Sequence, residues 1–322
     1  MAKLFKNFTS NNDTGFGSSA ANQADRLLNK DGRYNVTRTG VSIFNRYSYF
    51  HELIAMSWLK FNSLVLATYL IINLFFTLIY WFIGIEHLGG TMGETTLEKF
   101  METFFFSCQT YSTVGYGRIN PQGFLSSAIA SVESLVGLMS FAVVTGLIYG
   151  RFAKPNIRLL TSQNAIIAPF KEGKALMFRI TNARQNALLE VEIELMMSFF
   201  THENPVRQFL PLKLERKKVN ALSLSWTIVH PIDENSPLYG LTLKDYEEID
   251  LELIFMFKAF DESYSQTVHT RTSYVFSEIL WGKKFVPMYA RSEKGETTIL
   301  QIEKLNEMVE ADLPNELPKN VY

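Results

Sequence analysis

The chain has 322 residues, a formal net charge of −1 and 47% hydrophobic residues, with a mean hydropathy of +0.02. These values exclude polyanion binding driven by net charge and are too polar for a protein lying wholly in a membrane; a membrane part joined to a soluble part fits better. The single cysteine, Cys108, excludes an intrachain disulfide and suits a reducing compartment.

Residues 1–40 are polar and rich in Asn, Ser, Gly and Asp. They read as a mobile tail with a short helix around 22–29, and no apolar core long enough for a signal peptide is present. Residues 45–60 carry Phe50, Leu53, Ile54 and Trp58 at helical spacing, with His51, Glu52 and Lys60 elsewhere. That pattern predicts an amphipathic helix lying in the membrane interface, within a segment 41–61. Residues 64–85 hold no charge before the end of the run and only Thr and Asn as clearly polar interruptions, enough to cross about 30 Å of hydrocarbon. Tyr80 and Trp81 stand where an aromatic belt anchors the outer end.

After a polar loop, Thr96-x-Glu98 starts an apolar run through Phe100, Phe104, Phe105 and Phe106 that is too short to span. It ends at T-V-G-Y-G, residues 113–117, and is expected to be a re-entrant pore helix whose C-terminal dipole favours a cation. Residues 124–152 form a second span interrupted by Glu133 and small polar residues. Two spans place both ends of the chain on one side. Arg46, Lys60, Arg151, Lys154 and Arg158 mark that side as cytoplasmic. The pore domain thus covers 62–154.

From residue 165 the pattern changes to alternation. Residues 175–180, 188–197, 222–229, 251–260 and 270–276 read as strands of an antiparallel β-sandwich of about 130 residues, within 155–296. Residues 297–322 read as a C-terminal tail. No repeat, metal-ligand cluster or nucleophilic triad is visible, so an enzyme is disfavoured and no cofactor is expected.

The pentapeptide carries the chemistry. From average residue usage it occurs by chance in a chain of this length roughly a few times in ten thousand. T-V-G-Y-G is the potassium-channel filter sequence, in which backbone carbonyls replace the ion's hydration shell. The carbonyls of Thr113, Val114, Gly115 and Tyr116, with the Thr113 hydroxyl, can supply those oxygens. Gly115 and Gly117 admit the left-handed backbone needed to point them the same way. One chain gives one sector of a ring, so a pore takes four copies. K⁺ is then the permeant ion.

Together these segments resemble the inward-rectifier potassium channel family, most nearly its bacterial, KirBac-type branch. The resemblance covers about residues 40–290 and rests on features in order: Ser57-Trp58, F-F-F-S-C-Q-T from Phe104, and G-L-I-Y-G-R-F-A-K-P from Gly146. In the soluble part it rests on N-A-R-Q-N from Asn182, the stretch from Val229 to Gly240, and S-E-I-L-W-G from Ser277.

The resemblance implies a fold of two transmembrane helices, a re-entrant pore helix and filter loop, an interfacial slide helix and a cytoplasmic immunoglobulin-like β-sandwich, in a four-fold symmetric tetramer. It implies a multi-pass plasma-membrane protein, in bacteria the inner membrane, with both termini cytoplasmic. No voltage sensor is expected, since no Arg ladder and no further spans exist.

By position, Tyr149 matches the inner gate; an interfacial anchor is the alternative. Gly137 and Gly146 match proposed hinges, and close helix packing is the alternative. Phe141 holds the cavity position that carries Asp or Asn in rectifying members, so Mg²⁺ and polyamines are expected only as weak blockers. Glu190 and Glu262 align with cytoplasmic-pore carboxylates that concentrate cations, or are solvated strand ends. Gln109 replaces the usual Glu behind the filter, and Glu133 is the candidate to share that bracing. The five basic residues are candidates for anionic lipid headgroups, or reflect positive-inside topology alone. Nucleic acid is not an expected partner. A tethered sensor without conduction, favoured by Gln109, and a weakly selective cation channel are the rival readings.

Overall fold

The computed structural model describes residues 26–37, 39–40, 49–154, 157–201, 204–292 and 297–314. The chain divides into two compact units, Thr39–Lys154 and Met1–Arg38 with Pro155–Tyr322.

The first unit is helical. A short helix α1 (Tyr49–Ala55) is followed, after a break at Met56 and Ser57, by α2 (Trp58–Ile83). Trp58 and Lys60 therefore belong to the span and not to the interfacial helix; the part of that helix expected over 41–48 lies outside the described residues. Helix α3 (Thr96–Tyr111) precedes the 113–117 loop, and α4 (Phe124–Ala153) follows it. Both α2 and α4 are long and apolar enough to cross a membrane. At 1.5 Å per residue, α2 is about 39 Å long.

The N-terminus of α3 is capped by Thr95, one residue before the expected start. Its hydroxyl accepts from the Glu98 N–H while the Glu98 carboxylate accepts from the Thr95 N–H. Two-residue strands β1 (Leu88–Gly89) and β2 (Asn120–Pro121) pair antiparallel and tie the loop before α3 to the chain leaving 113–117. Beneath them Phe76, Tyr80, Leu88, Phe106 and Ile119 form the unit's buried core.

The second unit is a β-sandwich. Among the described residues, one five-stranded sheet joins β6 (Leu188–Thr201), β7 (Asn204–Leu212), β8 (Lys218–Leu222), β10 (Glu252–Asp261) and β11 (Gln266–Val275). The other joins β3 (Leu159–Thr161), β4 (Ala165–Phe170), β5 (Gly173–Asn182), β9 (Ser225–Ile232) and β12 (Ile279–Trp281).

Alternation sets the inner faces. Leu176, Phe178 and Ile180 of β5 meet Leu253, Phe255 and Phe257 of β10 in one core, and the Phe178 and Phe255 rings stand edge to face at 5.0 Å. The Tyr274 hydroxyl, on β11, donates to the Ser162 carbonyl beside β3 at 2.8 Å and so links the sheets; burial pushes its pKa up to about 12.

Several sequence expectations change here. Residues 222–229 are not one strand: Leu222 ends β8 in one sheet, Ser225 begins β9 in the other, and the chain crosses between sheets at Ser223 and Leu224. The pairing of β12 with β4 is parallel, in a sandwich otherwise antiparallel as expected.

The 297–322 segment is not wholly a tail. A strand β15 (Thr298–Leu300) pairs with β14 (Tyr289–Arg291), and β16 (Met308–Glu310) pairs with β13 (Lys283–Phe285). Met308 and Phe285 then pack on the outer face of β4 and β5.

At the other end, the described part of the 22–29 helix is extended. Leu28 bridges to Tyr34, and Leu27 and Leu28 are buried against Phe209 and Ile254. Their N–H groups donate to the Glu252 carboxylate at 2.8 and 3.0 Å. Glu252 is fully buried and is also met by buried Arg207, which reaches Asp250 as well. Residues 26–36 are thus strapped to the sandwich and are not a mobile tail, because a buried carboxylate finds its donors there.

Candidate functional site

The loop 113–117 is built on the C-terminal end of α3. Ser112 caps that helix by donating its N–H to the Cys108 carbonyl. The Gln109 carbonyl then accepts from the N–H groups of Val114 at 3.0 Å and Gly115 at 3.3 Å. Two consecutive donors on one orphan helix carbonyl hold the inner end of the loop against α3.

Backbone φ is +62° at Thr113, +53° at Gly115 and +84° at Gly117. Alternate residues therefore take the left-handed region. Glycine does so freely, whereas β-branched Thr113 is strained there; the expectation from sequence had placed this conformation only at the glycines. The loop's side chains are exposed in the single chain, Val114 and Tyr116 included.

Behind the loop, polar groups converge inside the helical unit. Glu133 of α4 is fully buried. It accepts from the Tyr80 hydroxyl of α2 at 2.8 Å and from the Ser107 hydroxyl of α3 at 2.5 Å. Ser107 also lies 3.2 Å from the Asn73 side-chain oxygen, Asn73 donates to the Tyr69 carbonyl, and Thr77 donates to the Asn73 carbonyl. Asn73 and Thr77, two of the polar interruptions of the first span, are thus buried and partnered, whereas Thr68 is exposed.

Tyr80 is 1% exposed and serves this network, so the aromatic-belt reading is corrected for it. The described partners of the Glu133 side chain are Tyr80 and Ser107, not Gln109. Its contact with α3 is through Ser107, six residues before Thr113.

Gly137 is a close-packing position. A Cβ there would stand 1.8 Å from the Tyr111 carbonyl oxygen, whereas one at Gly146 would meet nothing within 4 Å. Phe141 and Thr113 both line an apolar groove of about 800 Å³ between α2 and α4. Tyr149, eight residues further along α4, is 75% exposed in the single chain.

Of the basic candidates, Arg151 is already engaged. Its guanidinium donates to the Leu53, Ile54 and Met56 carbonyls at 2.6–3.2 Å, capping the end of α1, and stacks 4.5 Å from the Trp58 and Phe61 rings. This corrects its assignment as a headgroup ligand. Lys60, Lys154 and Arg158 are exposed, and Arg46 lies outside the described residues.

In the sandwich, Glu190 and Glu262 are exposed. Glu190 has φ +47° at the bulge where β6 slips register against β10, and the Glu262 N–H donates to the Ala187 carbonyl. Among the described residues, no cluster of His, Cys, Asp and Glu could hold a metal ion.

Two spanning helices, a re-entrant helix ending at a left-handed loop, and a β-sandwich define a pore-loop membrane protein with a soluble all-β domain. Residues 159–320 match the model of the inward rectifier potassium channel C-terminal domain, and 65–154 match an ion channel model. The chain is 34% identical over 289 residues to the inward rectifier potassium channel Kirbac3.1 of Paramagnetospirillum magnetotacticum, covering 88% of this chain and 96% of that one. It is 30% identical to ATP-sensitive inward rectifier potassium channel 12 of Gallus gallus, covering 82% of this chain and 67% of the relative. The chain belongs to the inward rectifier potassium channel family.

Proposed function

We propose that four copies of this chain surround a pore and conduct K⁺ selectively down its electrochemical gradient through residues 113–117. The observation that carries this reading is the loop itself: positive φ at alternate residues Thr113, Gly115 and Gly117, seated on the C-terminal end of α3. An alternating backbone of this kind is what a row of carbonyls facing one axis requires, and the helix end adds partial negative charge.

Tyr149 narrows the inner end of α4 as the gate, and the β-sandwich, cytoplasmic with both termini, biases it. Phe141 supplies no carboxylate to the cavity, so Mg²⁺ and polyamines block weakly and rectification is weak. Glu190 and Glu262 line the cytoplasmic path. Anionic lipid at the inner surface acts on Lys60, Lys154 and Arg158, each contributing about 1 kcal/mol near the surface.

The test is K⁺-gradient-driven ⁸⁶Rb⁺ uptake into liposomes containing anionic lipid, with and without Ba²⁺, for wild type and Gly115→Ala. Ba²⁺-sensitive uptake in wild type, absent with Na⁺ and absent in the variant, is expected. A well-assembled wild type that takes up no ⁸⁶Rb⁺ across lipid compositions and pH refutes conduction and leaves the tethered-sensor reading, which Gln109 favours.

A further inference from the structure

The inner end of the 113–117 loop is held by the Gln109 carbonyl. Its outer end is held by a different residue. Glu102, two turns before the end of α3, accepts from the Met92 and Gly93 N–H groups at 2.8 and 3.0 Å through one carboxylate oxygen. Through the other it receives Arg118 at 2.9 Å. Arg118 follows Gly117 directly, and its guanidinium also approaches the Gly90 carbonyl. The Arg118 carbonyl in turn sits so close to Gly90 that a Cβ there would lie 1.8 Å away. The Glu102 side chain is only 15% exposed.

A lone surface ion pair contributes little. Here one carboxylate collects two main-chain donors from the preceding loop and one guanidinium from the residue leaving the filter, so three chain segments meet on it. β1 and β2 continue the same seam.

We propose that Glu102 and Arg118 are positioning residues for ion selection: their clamp fixes the outer end of the filter and thereby the spacing of its carbonyls. The proposal rests on residues 113–117 being the filter. Carbonyls anchored only at the inner end relax around smaller ions, so discrimination, rather than throughput or assembly, is what the clamp controls.

The test is ⁸⁶Rb⁺ against ²²Na⁺ uptake by wild type, Arg118→Ala, Arg118→Lys and Glu102→Gln in the same liposomes, with tetramer assembly followed by size exclusion. Arg118→Ala and Glu102→Gln are expected to lower the preference about tenfold while assembling as tetramers. Arg118→Lys, which keeps a cationic donor, recovers most of it. Glu102→Gln is nearly isosteric and carries the test if Arg118→Ala fails to assemble. A selective wild type with equally selective Arg118→Ala or Glu102→Gln overturns the clamp and leaves the filter reading intact. A wild type that fails to discriminate overturns both.

Discussion

Replacing Gly137 by Ala puts one methyl group where α4 crosses the end of α3. That carbon would lie 1.8 Å from the Tyr111 carbonyl oxygen, about 1.6 Å inside ordinary van der Waals contact. The obstacle is main chain, so no rotamer change relieves it. Either α4 moves away or the last turn of α3, which carries the 113–117 loop, distorts. Overpacking of a methylene into a packed interior costs about 1–3 kcal/mol, and a backbone obstacle this close belongs at the upper end.

Gly146→Ala is the internal control. Among the described residues beyond its own turn of helix, nothing lies within 4 Å of its Cβ, and a helix-interior Gly→Ala change gains up to about 1 kcal/mol in propensity. Thermal unfolding of the detergent-purified protein should show a lowered midpoint for Gly137→Ala and none for Gly146→Ala, with ⁸⁶Rb⁺ uptake lost in the first. Equal midpoints for Gly137→Ala and wild type would refute the close approach and return Gly137 to the hinge reading.

Three further outcomes are expected. Glu133→Leu leaves the buried Tyr80 hydroxyl without its acceptor, at a cost of about 1–3 kcal/mol, while Ser107 keeps the Asn73 oxygens within reach. Its thermal midpoint should fall well below that of Glu133→Gln, which keeps an accepting oxygen; equal midpoints would remove the network from the account. Glu252→Ala removes one of the two carboxylates that meet buried Arg207, which keeps Asp250, and frees the Leu27 and Leu28 N–H groups, costing about 1–3 kcal/mol per donor left unpaired. Limited proteolysis should then cut within residues 26–36, and resistance equal to wild type would show that the strap does not depend on this carboxylate.

His230 is 2% exposed, with Nδ1 against the Lys213 carbonyl and Nε2 against Ser236. Burial holds its pKa below the ordinary value, although Lys213 and Asp233 pull the other way. The unfolded chain then binds the proton more readily than the folded one. This residue's contribution is therefore complete above about pH 6.5 and is lost as pH falls through the folded value. Melting of the protein from pH 8 to pH 5 should show that decline in wild type and a smaller one in His230→Gln; identical declines would acquit His230.

What could be read in advance was whatever depends on local pattern. Uncharged length marked both spans, and the two glycines of T-V-G-Y-G marked a loop with left-handed backbone. Glu133 was conspicuous as a carboxylate inside an apolar run. Its partners were not, since Tyr80 and Ser107 are 53 and 26 residues away, and a Tyr near a span end has the same local pattern whether it anchors at the interface or turns inward.

The β-sandwich was legible as alternation but not as topology. Alternation does not say which sheet a strand joins, so the sheet change at Ser223 and Leu224 was invisible. The strap at 26–36 is polar by composition and ordered by partners more than 220 residues distant, Glu252, Ser273 and Glu278 among them. Arg118 was passed over because a basic residue in a loop carries no local signal; its meaning comes from Glu102 across the fold.

The grip of Arg151 on α1 has a mechanical side. Three carbonyls at the end of α1, two aromatic rings at the start of α2 and the last turn of α4 share one guanidinium. The lower ends of the three helices are thereby riveted into a collar, two residues beyond Tyr149. A sideways load on α1 is delivered through one side chain to the last turn of α4, so the short helix and the end of the long one move together.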